Sequence, residues 1–338
     1  MIIKIIGSGS AGNHIAFAFK RFAKKIYMFD LTASALRRSK KIYISRYKKW
    51  NNNIIQDKNT IDNKFYDLVV ISTPPNTHLK ILKNNIYNSN NFLIEKPIFE
   101  PNKFTIDNFI KIKKKFTNKK FFCGYNHRLF PSTQKLKDII DQKKSPLDII
   151  EVNFKENTAG FLQAHYWLKD LSKSYLSKYK HGGGALLEHS HALNLAQYLC
   201  EDQTQTKIIY KNIEFIKNRK VFYDKSSEII LKSNKNLVIL NQNFETQPTE
   251  KNITVSNKNI FAKLIYNFNG SDDRIIFYDK IKKKLKIYNF KKKRSDDFKY
   301  EAKFIAKAIN NQINKKYNPL NIDYAISTMR LILKIFKS

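Results

Sequence analysis

Three glycines, Gly7, Gly9 and Gly12, stand in the run GSGSAG, directly after the apolar stretch IIKII (2–6) and before a helical stretch around 12–23. Glycines at this spacing, between a strand and a helix, constrain the fold more than any other feature of the chain. The first permits a tight turn, the second lets backbone approach a pyrophosphate, and the third allows close helix–strand contact. The helix N-terminus then offers N–H groups and a positive dipole end to the phosphates. Ser10 and Ala11 complete this cofactor loop. Asp30 follows the second apolar run, KIYMF (25–29), at the position where a carboxylate accepts hydrogen bonds from an adenosine ribose. Such an acid repels a 2′-phosphate and favours NAD over NADP, with Arg37 and Arg38 as residues that would swing the choice the other way. His14, just inside the helix, reads as packing.

The first third continues as apolar strands alternating with helical stretches, the grammar of βαβ units and a parallel sheet. DLVVIS (67–72), NFLIE (91–95) and KFFCGYN (120–126) bring the count to at least five strands. After about residue 130 the pattern changes. Helices at 131–142 and 184–199 flank DIIEVNF (148–154) and a loop-rich stretch, and several strands then follow with little helix between them, as in antiparallel sheets. Helices near 296–311 and 323–336 close the chain, the last with Ala325, Met329, Ile332 and Ile335 on one stripe. The expected fold is α/β: a Rossmann domain with a parallel sheet over 1–128, and an α/β domain with a large, mostly antiparallel sheet over 129–338. The last helix is free in this reading to pack back on the first domain.

At 338 residues and 42% hydrophobic composition the chain can bury two sizeable cores. The formal charge of +35 suggests nucleic acid or an anionic surface. The excess, however, is nearly all lysine, spread along the whole length among Ile, Asn, Tyr and Phe, while arginine is scarce. Runs such as KIKKKF (111–116) read as solvated faces, so no specific nucleic-acid partner is expected. Two cysteines, Cys123 and Cys200, make no disulfide framework. No apolar run reaches the length of a membrane span, and MIIKII enters the fold without a signal-like segment. A cytoplasmic protein without membrane insertion is the expectation, and no metal site is expected.

GSGSAG, STPPNTH (72–78), EKP (95–97), GYNHRLFP (124–131) and GGGALLEHSHALN (182–194) occur in the order and approximate spacing of the Gfo/Idh/MocA oxidoreductases. The sequence resembles that family over essentially its whole length. The resemblance implies a Rossmann domain, a second domain whose open antiparallel sheet serves a homodimer or homotetramer, and hydride transfer between NAD(P) and a hydroxyl carbon of a sugar or related compound. It places Lys96 beside the nicotinamide and the reacting carbon, and maps the family's acid and histidine onto Glu188 and His191. The E-x-S-H-x-x-N form of this stretch resembles a branch associated with surface-polysaccharide and nonulosonate-type sugars, which implies an amino, deoxy or acidic sugar as substrate.

The chemistry agrees with these positions. Alcohol oxidation needs a hydride to leave carbon as a proton leaves oxygen, so a positioned acid/base must touch the hydroxyl. Residues three apart share a helix face, so Glu188, His191 and Asn194 form one polar stripe on a helix over 184–199. His189 is the alternative if the register slips. Thr73, Pro74, Asn76 and His78 follow the strand DLVVIS, where such sheets bind cofactor, and Glu95 is placed to reach the nicotinamide ribose. Asn126 and Arg128 leave the next strand toward the substrate, Arg128 alternatively as an interdomain salt bridge. YWLKDLSKSY (166–175) resembles a loop of the same branch and adds Trp167, Asp170 and Tyr175 as substrate contacts or as ordinary packing. An NAD-using glycosidase of the same fold and a catalytically silent regulator are the rival readings.

Overall fold

The apolar runs of the first third become the strands of one parallel sheet. In a computed structural model that describes residues 1–43, 53–58, 61–142, 146–165, 168, 170–200, 206–233, 236–293, 295–313 and 318–338, these are β1 (Ile2–Ile6), β2 (Lys25–Phe29), β3 (Ile54–Asp57), β4 (Leu68–Ile71), β5 (Asn91–Ile94) and β6 (Lys120–Cys123). Their order is β3-β2-β1-β4-β5-β6, all parallel. This is the dinucleotide-binding order, whose direction reverses between β1 and β4. Every residue of β4 is fully buried, as a parallel strand covered on both faces requires. The edge strand β3 alternates half-buried with exposed residues and was not among the runs read from sequence. Helices α1 (Ser10–Phe19), α2 (Ala33–Arg38), α3 (His78–Asn85) and α4 (Lys103–Lys115) join the strands. Inside β1, Lys4 is fully buried, which its Nζ tolerates by ion-pairing with Asp62 at 3.0 Å and lying over the Phe29 and Tyr66 rings.

The second sheet has eight strands: β7 (Ile149–Lys155), β8 (Thr206–Lys217), β9 (Phe222–Ser233), β10 (Asn236–Asn243), β11 (Glu250–Ser256), β12 (Ile260–Ile265), β13 (Asp273–Asp279) and β14 (Lys284–Phe290). They run in the order β14-β13-β12-β11-β7-β10-β9-β8, antiparallel except for the β7–β10 pair. Strict alternation, as in the Ile260, Ala262 and Leu264 positions of β12, buries one face. The other face carries a polar ladder in which Asn153 bonds Asn241 at 2.8 Å and Asn252 at 3.1 Å. Helices α5 (Pro131–Gln142), α6 (Thr158–Ala164), α7 (Ala185–Glu188) and α8 (His191–Leu199) belong to this part of the chain.

The chain closes with α9 (Asp296–Ile309) and α10 (Ile322–Lys337), in which the Ala325, Met329, Ile332 and Ile335 stripe is fully buried. By contacts the chain divides into one unit of Met1–Asn126 with Ser295–Met329, and another of His127–Arg294 with Arg330–Ser338. The stretch Ser295–Met329, read from sequence as part of the second domain, thus counts with the first. The local reason is that α9 packs on α1, with the Phe298 ring stacked 4.9 Å from His14. No helix of the described residues is long and apolar enough to cross a membrane.

Candidate active site

In the first unit the candidate residues gather at the carboxyl ends of the parallel strands, where the strand order reverses. Gly7 has a φ of +106°, and a Cβ there would lie 2.5 Å from the Ser72 carbonyl oxygen. A Cβ on Gly12 would lie 2.0 Å from the Gly7 carbonyl oxygen. Gly9, by contrast, has nothing within 4 Å of that position and forms the N-cap of α1 without any side-chain cap. The loop is therefore tight at its two ends and open in the middle. Ser10 and Ala11 are the first helical residues, and no acidic side chain occupies the first turn. Orphan N–H groups with open space before them fit a phosphate of a dinucleotide.

Asp30 is bound into this loop. Its Oδ2 accepts from Ser8 N at 3.0 Å and Ser8 Oγ at 2.9 Å, and its Oδ1 accepts from Thr32 N at 3.1 Å. Arg37 is exposed in the last turn of α2 and Arg38 is half-buried beside it. After β4, Ser72 Oγ donates to Gly7 O, Thr73 and Thr77 share a hydroxyl hydrogen bond of 2.7 Å, and Pro74 and Asn76 are exposed. His78 does not share that exposure. Its ring is fully buried between the Thr73 and Ile98 carbonyls, at 2.7 and 2.9 Å, and burial pushes the imidazole down to about 4. The side chain expected at the cofactor instead braces the loop after β4 against the loop after β5.

Glu95 and Lys96 end β5, with Glu95 buried and Lys96 half-buried before a cis Pro97. Gly124, at the end of β6, makes room for the acid: a Cβ on it would lie 2.8 Å from Glu95 Oε1. Helix α9 brings a second carboxyl, Glu301, which is 1% exposed and has neither oxygen hydrogen-bonded. Burial, reinforced by the nearby Glu95 carboxylate, holds Glu301 well above the ordinary carboxyl range. The native state therefore retains a proton that the unfolded chain releases, and this contribution to stability falls as pH rises beyond the unfolded carboxyl pKa. Glu301→Gln should accordingly raise the melting temperature by several degrees at about pH 8 and much less at about pH 5. Equal shifts at the two pH values in thermal unfolding would show that Glu301 does not titrate as described.

In the second unit the triglycine has a geometric cause. Gly182 and Gly184 have φ of +89° and +111°, and Cβ atoms on Gly183 and Gly184 would lie 2.1 Å from Tyr175 O and 1.8 Å from Asp224 Oδ1. Asp224, from β9, accepts from Leu186 N at 2.7 Å and so caps α7 from across the fold. Burial pushes its carboxyl up to about 7 against the pull of those backbone N–H groups. The continuous helix expected over 184–199 does not form. It breaks at His189–Ser190 into α7 and α8, so Glu188 closes one helix and His191 opens the next. Glu188 accepts from Tyr175 Oη at 3.1 Å. His189 is buried toward β10, its Nε2 3.2 Å from Asn243 O and its ring edge-on to Phe244.

His191 opens α8 half-buried, with the ring of His127 at a centroid distance of 4.2 Å. Arg128 and Asn194, both expected at the substrate, are instead fully buried on each other. Arg128 Nε donates to Asn194 Oδ1 at 2.6 Å and Nη2 to Asn194 O at 2.9 Å, with the guanidinium 5.0 Å from the Tyr198 ring centre. An acid at 194 would form a buried ion pair here; asparagine makes the same contact without a charge. Asn126 is buried at the start of the short turn Asn126–Leu129. Asp170 is exposed and caps the next turn, and its bonds from Ser172 hold its carboxyl below the usual range. Trp167 lies outside the described residues. Among the described residues there is no cluster of three metal-ligating side chains. Sequence reasoning passed over His127, Gly124, Glu301 and Asp224; the first two lie inside a quoted motif, GYNHRLFP, which was the available signal.

No family model matches the sequence, and no curated protein does. Solved structures do match over nearly the whole chain. Aldose-aldose oxidoreductase from Caulobacter crescentus, complexed with glycerol, is 15% identical with a TM-score of 0.75, covering 100% of this chain and 96% of its own. The WlbA dehydrogenase from Bordetella pertussis, in complex with NADH and UDP-GlcNAcA, is 14% identical with a TM-score of 0.72, covering 99% and 95%. The chain shares the fold of these oxidoreductases and dehydrogenases. A candidate NADPH-dependent oxidoreductase from Desulfitobacterium hafniense is similar as well, at 17% identity and a TM-score of 0.74, covering 98% and 93%.

Proposed function

We propose that the chain is an NAD-dependent oxidoreductase that moves hydride to or from a hydroxyl carbon of a sugar or sugar derivative. The observation that carries this reading is the glycine loop, tight at Gly7 and Gly12 and open at Gly9, with Asp30 bonded to its first turn and Lys96 on the same strand-end edge. The nicotinamide cofactor supplies the hydride acceptor when bound. Gly9, Ser10 and Ala11 would hold its pyrophosphate by backbone N–H groups, Asp30 would bind the adenosine ribose, and Thr73, Pro74, Asn76 and Glu95 would line the rest of its path. Lys96 would orient the substrate hydroxyl and His191 would take its proton as the carbon gives up hydride. Glu188, bonded to Tyr175, fixes the turn before His191. Among the acidic, amino and deoxy sugars that the sequence resemblance implies, the complex of the similar WlbA dehydrogenase with NADH and UDP-GlcNAcA supports an acidic or amino sugar. Self-association through the polar, ladder-bearing face of the large sheet completes the reading.

Cofactor choice is the part most open to direct test, since the similar structures include an NADH complex and a candidate NADPH enzyme. NADH should bind more tightly than NADPH in a fluorescence titration, because a 2′-phosphate would meet the Asp30 carboxylate. Asp30→Ser should narrow or reverse that gap. A tenfold preference for NADPH in the unaltered chain, about 1.4 kcal/mol, would overturn the assignment and promote Arg37 or Arg38.

A further inference from the structure

The loop that follows β6 places a second imidazole against the one read as catalytic. His127 is held on three sides by aromatic rings: Phe130 stacks on it at 4.6 Å, Tyr266 meets it edge-on at 5.3 Å, and Phe154 tilts against it at 5.6 Å. Its ring also meets that of His191, at 4.2 Å and an angle of 48°. We propose that His127 and His191 act as one coupled pair holding at most one proton near neutral pH, and that His127 thereby keeps His191 neutral and able to accept the substrate proton. His127 is a positioning residue in this account, which rests on the reading of His191 as the proton acceptor.

The surrounding charges favour the same outcome. Two imidazolium rings at this separation repel strongly in a partly desolvated site, so their protons leave in two separate steps. Arg128, the next residue, carries a buried fixed charge toward α8. Lys292 lies 4.6 Å from the Phe130 ring centre and 6.0 Å from that of Tyr266. Its ion pair with Asp273 at 3.0 Å neutralises part of that charge, and Ser132 also donates to Asp273. Tyr266 Oη shares a hydrogen bond with Thr133. The inward positions of β7 (Ile150, Val152 and Phe154) and of β12 (Ile260, Ala262 and Leu264) bring no charge. Glu188, on the turn before α8, is the acid nearest in sequence to His191 and is engaged by Tyr175. In the forward reaction the hydroxyl O–H bond breaks, its proton passes to the neutral His191, and the electron pair left on oxygen forms the carbonyl as the carbon gives up hydride, for which a bound nicotinamide would be the acceptor.

The test is an imidazole C–H NMR titration of the full chain, assigned by single replacements among its seven histidines. In the unaltered protein each of the two rings should register two transitions more than one pH unit apart. His127→Phe keeps the ring stack and removes the titration, so His191 should then show one transition, raised by about one unit or more. His127→Gln, which removes the ring altogether, should raise it similarly and serves if the phenylalanine variant does not fold. An unchanged His191 midpoint in either folded variant, or single independent transitions in the unaltered chain, would reduce the contact to packing and overturn the proposal. A parallel NADH titration separates the two claims: failure to bind NADH contradicts the proposed function, while the NMR result still decides the pair.

Discussion

Lys96→Met and His191→Ala should each lower kcat by roughly 10²–10⁴ while leaving NADH affinity near that of the unaltered chain. The expectation rests on the proposed function, in which the resemblance in sequence assigns both groups to one hydroxyl. Groups that share one proton transfer are not additive, so the double variant should be little worse than the poorer single one. Glu188→Gln should cost less than either, because that carboxylate acts through Tyr175 and the turn it fixes. His189→Ala should be nearly silent in turnover, since its ring is spent on Asn243 and Phe244. A crippled His189 variant beside a tolerated His191 variant would mean that the imidazoles have been assigned in the wrong order.

Gly12→Ala should remove cofactor binding and destabilise the first unit together. The added methyl would meet Gly7 O at 2.0 Å and Ser72 Oγ at 2.8 Å, and Gly7 is itself fixed by its N–H to Phe29 O. Backbone cannot yield there without dragging the loop, so a loss of about 3 kcal/mol or more in stability and more than 100-fold in NADH affinity (about 2.7 kcal/mol) is expected. Gly9→Ala provides the contrast. It meets open space in the protein, so stability should stay within about 1 kcal/mol while NADH affinity falls sharply, because only the cofactor would touch the new methyl. Thermal unfolding and NADH titration of the two variants distinguish a structural glycine from a binding one. If both bind NADH normally, the loop is only a turn.

What sequence disclosed depended on how local its cause was. The Gly7, Gly9 and Gly12 pattern was legible because all three lie within six residues, with Gly12 packed on Gly7 in the same loop. The parallel sheet was legible because strands buried on both faces must be apolar throughout. The edge strand β3 was not, since two of its four positions, Ile55 and Asp57, face solvent and no continuous apolar run results. The break between α7 and α8 was hidden for a different reason. At the break the His189 carbonyl accepts from Gln242 Nε2, a β10 side chain 53 residues away, and nothing near His189 announces a stop. Arg128 and Asn194 look like substrate contacts when each is read alone and become a buried brace only when paired across 66 residues. His78 was drawn to the cofactor by its motif, yet its two carbonyl partners, Thr73 and Ile98, turn it inward. Glu301 gave no signal at all, because a carboxyl in an amphipathic helix reads as solvent-facing until its face of α9 is seen to be buried near Glu95.

The charge of +35 finds no role in either unit's candidate site. The fully buried lysine Lys4 is paired with Asp62, and the long lysine runs lie on α4 and β14, where most of those side chains are exposed or half-buried. Solvated lysines of this kind bind polyanions weakly and lose that affinity with salt.

The central claim is hydride transfer between NAD and a sugar hydroxyl, and the appearance of NADH absorbance tests it most directly. The purified chain should be supplied with NAD and a panel of free sugars, amino sugars, uronic acids and their nucleotide-linked forms. At least one acidic, amino or deoxy sugar should yield NADH in proportion to oxidised product, and the Lys96→Met variant should abolish it. Binding of NADH without net reduction on any member of the panel, with Lys96→Met indistinguishable from the unaltered chain, would contradict the account and leave a protein that holds the cofactor without using it.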